Sequence, residues 1–293
     1  MWPFRRRSRT TTPTSEALDH ILGREYATGI PYLLPKDMEE VDRLDFQHYM
    51  LRYALRGNYA APLTDARDIL DVGTGTGRWA AEMAERFPQA SIVGVDIMPP
   101  AALEGHAPLH MPATYSFVAA NVLEGLPFPD ATFDYVHQRL LYAALPADRW
   151  QPVVNELLRL TRAGGWIELV EGGLVQQGGP AMNTLNAWMS EASARRGINA
   201  SAGSRIGSFL QAAGASGVKQ HSINLPMGKH GGRLGTLVEA DALSVFKGFQ
   251  ARMVAAGIAD EARYTAALEG VRREAATLPM VWPIYIAYGQ RPF

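Results

Sequence analysis

From residue 68 onward, short apolar runs alternate with stretches whose apolar residues recur every three or four positions. Residues 68–72, 91–96, 115–119 and 133–136 read as strands, and their nearly continuous hydrophobicity suits a parallel sheet covered on both faces. Between them, residues 78–86 and 148–161 read as helices, the second carrying Trp150, Val154, Leu157 and Thr161 on one face and closed by Ala163-Gly164-Gly165. Residues 166–171 make a fifth strand. After it the breakers Gly172-Gly173 and Gly178-Gly179-Pro180 mark a change of organisation. The spacing then predicts helices near 182–195 and 204–213, a strand over 218–225, helices over 237–256 and 261–276, and a last strand over 281–288. Ahead of all this, Met38, Val41, Leu44, His48, Leu51 and Leu55 stand at helical spacing within 36–56, with Gly57-Asn58 as the stop. The pattern predicts an α/β fold, a doubly wound seven-stranded sheet with an N-terminal helix and a helical cap, and no internal repeats.

Composition narrows the chemistry. The formal net charge of -1 provides no overall positive field for a polyanion, so nucleic acid is not the expected partner. With no cysteine there is no disulfide, thiolate metal site, catalytic thiol or iron–sulfur cluster, which leaves polar two-electron chemistry. The start, Met1-Trp2-Pro3-Phe4-Arg5-Arg6-Arg7-Ser8-Arg9, is basic but lacks an apolar stretch of signal-peptide length. Residues 1–20 read as a flexible basic tail, 21–62 as an N-terminal helical segment, and 63–293 as the main domain with lid insertions at about 176–200 and 226–278. No apolar run approaches the ~20 residues of a membrane span, so a cytoplasmic protein without membrane attachment is expected.

The segment Asp71-Val72-Gly73-Thr74-Gly75-Thr76-Gly77 follows a strand and precedes a helix, where glycines let the backbone turn tightly and approach a ligand. A dinucleotide site has the spacing G-x-G-x-x-G; here Arg78 occupies the third position. The acid before the glycines also discriminates. A carboxylate at Asp71 repels a pyrophosphate but attracts the methionyl ammonium of S-adenosylmethionine. Asp96 closes the next strand, where an acid accepts hydrogen bonds from ribose hydroxyls. Ile97 and Met98 follow to flank an adenine, and Asn121-Val122 stand where a side-chain amide and a backbone N–H meet its edge. Each acid taken alone also suits a turn or a helix cap.

In combination, Ile69-Leu70-Asp71-Val72-Gly73-Thr74-Gly75-Thr76-Gly77-Arg78-Trp79-Ala80 and Ile92-Val93-Gly94-Val95-Asp96 resemble motifs I and II of the class I S-adenosylmethionine methyltransferases. The segments 128–137 and 160–166 resemble the family's later motifs. A closer likeness, to LaeA-type and UbiE-like small-molecule methyltransferases, is carried by Tyr32-Leu33-Leu34-Pro35-Lys36-Asp37, Asp42-Arg43-Leu44-Asp45-Phe46-Gln47-His48 and Val136-His137-Gln138-Arg139. It spans roughly residues 30–171 and departs from the broader pattern at Asn121, where an acid is common. The resemblance implies a Rossmann-like sheet, mostly parallel with an antiparallel last strand. It also implies S-adenosyl-L-methionine as donor, S-adenosyl-L-homocysteine as product, no metal, and cofactor contacts from Asp71, Gly73, Thr74, Gly75, Gly77, Asp96, Ile97, Met98, Asn121, Val122 and His137.

In such a sheet ligands sit at the carboxyl ends of the strands, which directs attention to His137-Gln138-Arg139 and Glu171-Gly172-Gly173 for catalysis. Histidine is the side chain best suited to proton transfer near neutral pH, so His137 is a candidate general base for an acceptor hydroxyl or amine; packing under the cofactor is its alternative. Glu171 either orients an amine or caps a turn. His221 and His230 are placed to reach the pocket from the cap, and Trp188 and Met189 either wall an aromatic substrate or fill the core. His106 and His110 read as loop residues, because Pro108 lies between them. No spacing resembles a metal site. The expected activity is methyl transfer to an O, N or C nucleophile of a small, apolar or aromatic acceptor, as monomer or homodimer. Protein or peptide methylation, cofactor-binding regulation without transfer, and dinucleotide-dependent redox chemistry are the alternatives.

Overall fold

The computed structural model describes residues 18–21, 24–27, 38–99 and 111–293. Two short strands, β1 (Leu18–Ile21) and β2 (Arg24–Ala27), pair antiparallel with Ile21 opposite Arg24. This hairpin departs from the expected flexible tail and helical segment. Its two four-residue strands, Leu18-Asp19-His20-Ile21 and Arg24-Glu25-Tyr26-Ala27, do not alternate apolar with polar, so they carry no period-2 signal from which to read a strand. Residues 1–17, Tyr32-Leu33-Leu34-Pro35-Lys36-Asp37, His106 and His110 lie outside the described residues.

The alternating part begins after α1 (Met38–Leu55) with β3 (Asp68–Val72), α2 (Arg78–Arg86), β4 (Ser91–Asp96), β5 (Tyr115–Ala119), β6 (Phe133–Arg139), α3 (Trp150–Leu160) and β7 (Thr161–Gly172). It continues with α4 (Pro180–Ala194), α5 (Ile206–Ala213), β8 (Ser216–Pro226), α6 (Gly232–Ala255), α7 (Glu261–Ala275) and β9 (Val281–Gln290). Seven strands form one sheet in the order β5-β4-β3-β6-β7-β9-β8. The first five are parallel, and β9 runs antiparallel between β7 and β8. Strand order reverses between β3 and β6, which opens a crevice at their carboxyl ends.

Burial explains the layers. On one face Trp79, Ala80 and Met83 of α2 cover Ile69, Ile92 and Tyr135 of the sheet. On the other, Val154 and Leu157 of α3 and Ile206 and Leu210 of α5 cover Leu70, Val136 and Ile167. A third cluster joins Met50 and Leu51 of α1 to Leu185 of α4, Phe249 of α6, Val271 of α7 and Ile284 of β9. Among the described residues no helix is long and apolar enough to cross a membrane.

Two strands run longer than the pattern predicts. Strand β6 continues through His137, Gln138 and Arg139, which pair with Glu168, Leu169 and Val170. Strand β7 continues through Glu171 and Gly172, which pair with Tyr285 and Ile284. Of these, His137, Gln138, Arg139 and Gly172 were expected beyond the strand ends, whereas Glu171 was expected as the last residue of its strand. They are polar yet central in the sheet, where a hydrophobicity criterion stops too early. The chain leaves β6 only at Leu140, whose φ of 52° turns it away.

Candidate active site

A cleft of about 280 Å³ opens over the crevice between β3 and β6. Its floor is the turn after β3. Gly73, Gly75 and Gly77 have φ of 72°, 53° and 78°, values that favour glycine, so no other residue fits the turn without strain. Gly73 and Thr74 donate their N–H groups to the Val95 carbonyl at 2.8 and 3.0 Å, Gly77 donates to the Thr74 carbonyl at 2.9 Å, and Gly75 donates to Asp96 Oδ2 at 3.0 Å. Four amides of the loop are thus engaged inside the protein. A pyrophosphate site needs such amides aimed at the ligand, so this loop fits a cofactor read by carboxylates better than a dinucleotide. Arg78, which stands where a dinucleotide fingerprint has its third glycine, donates instead to Asp45 of α1 at 2.7 Å and pins that helix beside the loop.

Asp71 is 4% exposed, and its Oδ1 lies 2.9 Å from His137 Nδ1. The His137 ring stacks flat on Trp79, with centroids 3.9 Å apart and planes 2° from parallel. Strand pairing dictates this contact, since Asp71 and His137 are register partners on β3 and β6. The sequence reading offered His137 as a general base. Its ring is 1% exposed, with one nitrogen on Asp71 and one face on Trp79, which is the geometry of a group that orients a carboxylate.

Glu171 requires a firmer correction. It is fully buried and does not line the cleft; its Oε1 accepts the Leu141 N–H at 2.9 Å and its Oε2 the Tyr142 N–H at 3.3 Å. Burial pushes its carboxyl up to about 8, while those N–H groups and Gln138 pull the other way. It supports the turn of Leu141 and Tyr142 beneath the cleft. Asn121 lines the cleft, but its amide is engaged locally: Oδ1 accepts the Leu123 N–H at 3.1 Å and Nδ2 donates to Glu124 at 3.1 Å. An Asn before a tight turn satisfies the turn's own N–H, a pull the sequence reading underweighted.

Asp96, Ile97, Met98 and Val122 line the cleft together with Asp71, Gly73, Thr74 and Gly75. Gly77 stands just beyond, as the N-cap of α2. His221 is exposed on the sheet's edge strand β8, and exposed His230 sits 3.1 Å from the Thr277 carbonyl; neither reaches the cleft. Trp188 and Met189 are buried in the cap, Trp188 stacked on Tyr264, so they fill the core instead of walling a substrate.

The sequence reading missed the polar face of α1. Arg43, Gln47 and His48 line the cleft. Gln47 Nε2 donates to Asp241 Oδ2 of α6 at 2.9 Å, and Arg43 Nη1 lies 3.5 Å from Asp241 Oδ1. His48 Nδ1 lies 3.0 Å from Arg139 Nη2, and its Nε2 is 3.2 Å from Glu82. Burial, reinforced by the Arg139 charge, pushes the His48 pKa down to about 4, so the ring is neutral and Nδ1 accepts from arginine. The signal available was the cluster of polar residues on a helix whose apolar stripe was already recognised.

A family described as "Methyltransferase domain" matches residues 69–165. The chain is 28% identical over 280 residues to N-methyltransferase sirN of Leptosphaeria maculans, covering 89% of this chain and 95% of that protein. It is 36% identical over 142 residues to methyltransferase str3 of Strobilurus tenacellus, 48% of each chain. It is 33% identical over 150 residues to the secondary metabolism regulator laeA of Aspergillus fumigatus, 50% of this chain and 38% of that protein. The chain thus spans about half or less of the last two relatives. Among solved structures, the phosphoethanolamine N-methyltransferase 2 of Haemonchus contortus in complex with S-adenosyl-L-methionine shares the fold, with TM-score 0.50, 16% identity and coverage of 86% of this chain and 52% of that one. In its loop, its sheet and these relatives, the chain is similar to the class I S-adenosylmethionine-dependent methyltransferases, with a methyltransferase domain matched over residues 69–165.

Proposed function

We propose that this enzyme methylates an O, N or C nucleophile on a small apolar or aromatic molecule. The observation that carries the reading is the composition of the cleft beyond the donor loop. Val245 and Phe249 of α6, Trp282 of β9 and Leu140 just after β6 line it together, while Gln47 and Arg43, which also line it, tie α1 to Asp241 of α6. Two helices distant in sequence thus converge over one apolar wall, a shape that suits a small ligand better than an open peptide groove. The name of sirN as an N-methyltransferase adds weight to a nitrogen acceptor.

In this reading Asp71 receives the donor's ammonium, with His137 as the positioning residue that fixes the carboxylate. Asp96 receives the ribose hydroxyls with lone pairs beyond those that accept from Gly75, and Ile97, Met98 and Val122 enclose the adenine. The sulfonium supplies an already activated methyl group. What remains for the protein is to hold an acceptor in line with the S–CH3 bond and to exclude water. The nucleophile gains the methyl and loses a proton, and S-adenosylhomocysteine departs neutral at sulfur. No residue need act as the base.

The test is transfer of labelled methyl from S-adenosylmethionine to a panel of small phenols, amines and activated carbons, run beside a panel of peptides. Label in a small molecule is the expected result. Label confined to peptides would replace the substrate class, and no label despite measured donor binding would favour a regulator that binds the cofactor without transfer.

A further inference from the structure

Arg139 ends β6 and lines the cleft, yet among the described residues its guanidinium has one hydrogen-bond partner, the neutral His48 ring at 3.0 Å. One of its five N–H donors is engaged there. No carboxylate of the described residues stands within ion-pairing distance of it, although Asp71 and Glu82 lie near enough to be felt electrostatically. Those two acids have other partners: Asp71 holds His137, and Glu82 is bonded to Arg52 and Asn58. A part-buried guanidinium with open donors facing a ligand cleft is costly to keep unless the ligand brings the counter-charge.

The strand register says which part of a ligand it meets. Val72 pairs with Gln138, so Arg139 stands level with Gly73, two residues past Asp71 on the neighbouring strand. Given the reading of this cleft as the donor site, we propose that Arg139 binds the donor's α-carboxylate, so that Asp71 and Arg139 read the two charges of its amino-acid head from the ends of adjacent strands. The planar fork matches a carboxylate's two oxygens, which a lysine at the same place would not. His48 is a positioning residue in this scheme: it accepts one guanidinium N–H and aims the others inward.

The experiment compares two probes by calorimetry: S-adenosylhomocysteine, and its decarboxylated analogue, which keeps the amine and lacks only the carboxylate. The wild-type protein should bind the first at least tenfold more tightly. Arg139→Met should lose at least tenfold for S-adenosylhomocysteine and change little for the analogue, so that the preference disappears; analogue binding also verifies that the variant is folded. His48→Ala should lower the preference by a smaller factor. Equal loss for both probes would make Arg139 merely structural, and an unchanged preference would remove it from the donor site; either overturns the proposal. Failure of the wild-type protein to bind S-adenosylhomocysteine at all would instead overturn the donor reading on which it rests.

Discussion

The proposed donor half and the proposed acceptor half of the cleft are built differently. The donor half is local: a turn of five residues, Gly73 to Gly77, locked by hydrogen bonds to Val95 and Asp96 on the adjacent strand. The acceptor half is assembled from α1, α6 and β9, whose cross-links Arg43–Asp241 and Gln47–Asp241 join residues 198 and 194 positions apart. Backbone conformation dictates the first and side-chain packing the second. A site of the first kind keeps its ligand when its surroundings are repacked, whereas the second kind retunes specificity without disturbing the sheet.

This contrast can be broken by mutations that should respect it. The largest effect is expected at Trp188, 8% exposed and stacked on Tyr264 in the cap at a centroid distance of 5.5 Å. Trp188→Ala should cost about 3–5 kcal/mol in urea unfolding, while S-adenosylhomocysteine affinity stays within about threefold; a collapse of donor affinity in protein that is still folded would mean that the halves are not separable. Next comes Gly94, where a Cβ would sit 2.3 Å from the Tyr115 hydroxyl and 2.9 Å from Thr74 Oγ1. Gly94→Ala should cost about 1–3 kcal/mol by overpacking and, by pressing on Thr74, weaken donor binding measured by the same titration.

Asp71→Ala and Asp96→Ala should each weaken S-adenosylhomocysteine binding more than tenfold, about 1.4 kcal/mol or more; unchanged affinity in both would remove the acids from the donor half. A smaller, pH-dependent effect belongs to Glu171, which supports the turn shared by both halves. Its carboxyl is raised from 4.5 to about 8, chiefly by burial. The folded chain therefore holds this proton more tightly than the unfolded one. The resulting stability is complete below about pH 4.5 and is lost as pH rises through about 8. Glu171→Gln does not titrate, so its stability relative to wild type should climb between about pH 5 and pH 9 in urea melts; a constant difference would contradict the buried-acid assignment. The least effect is expected from His230→Ala, an exposed ring outside the cleft, within about 0.5 kcal/mol in stability and without change in transfer rate.

The same contrast governs what could be read from sequence. Strands β3, β4 and β5 and helix α2 follow the expected boundaries, because covered strands and amphipathic helices impose periods of their own. Asp71, the three glycines and Asp96 were visible for the same reason: the turn they make is dictated within a few residues. What escaped depended on distance along the chain. The polar end of β6 looked like a loop because its burial is supplied by α1 and α2 on one side and β7 on the other. The Asp241 partner of Gln47 cannot be inferred from either helix alone. Glu171 looked like a site residue because a lone acid at a strand end gives no sign of the N–H groups that fold over it.

The account stands on the claim that the loop after β3 reads a methyl donor through carboxylates and not a dinucleotide through backbone amides. Calorimetric titration of the full chain with S-adenosylhomocysteine, with NADH as the control, tests this most directly. Saturable binding of S-adenosylhomocysteine and none of NADH is the predicted result; binding of NADH alone, or of neither ligand, would contradict it.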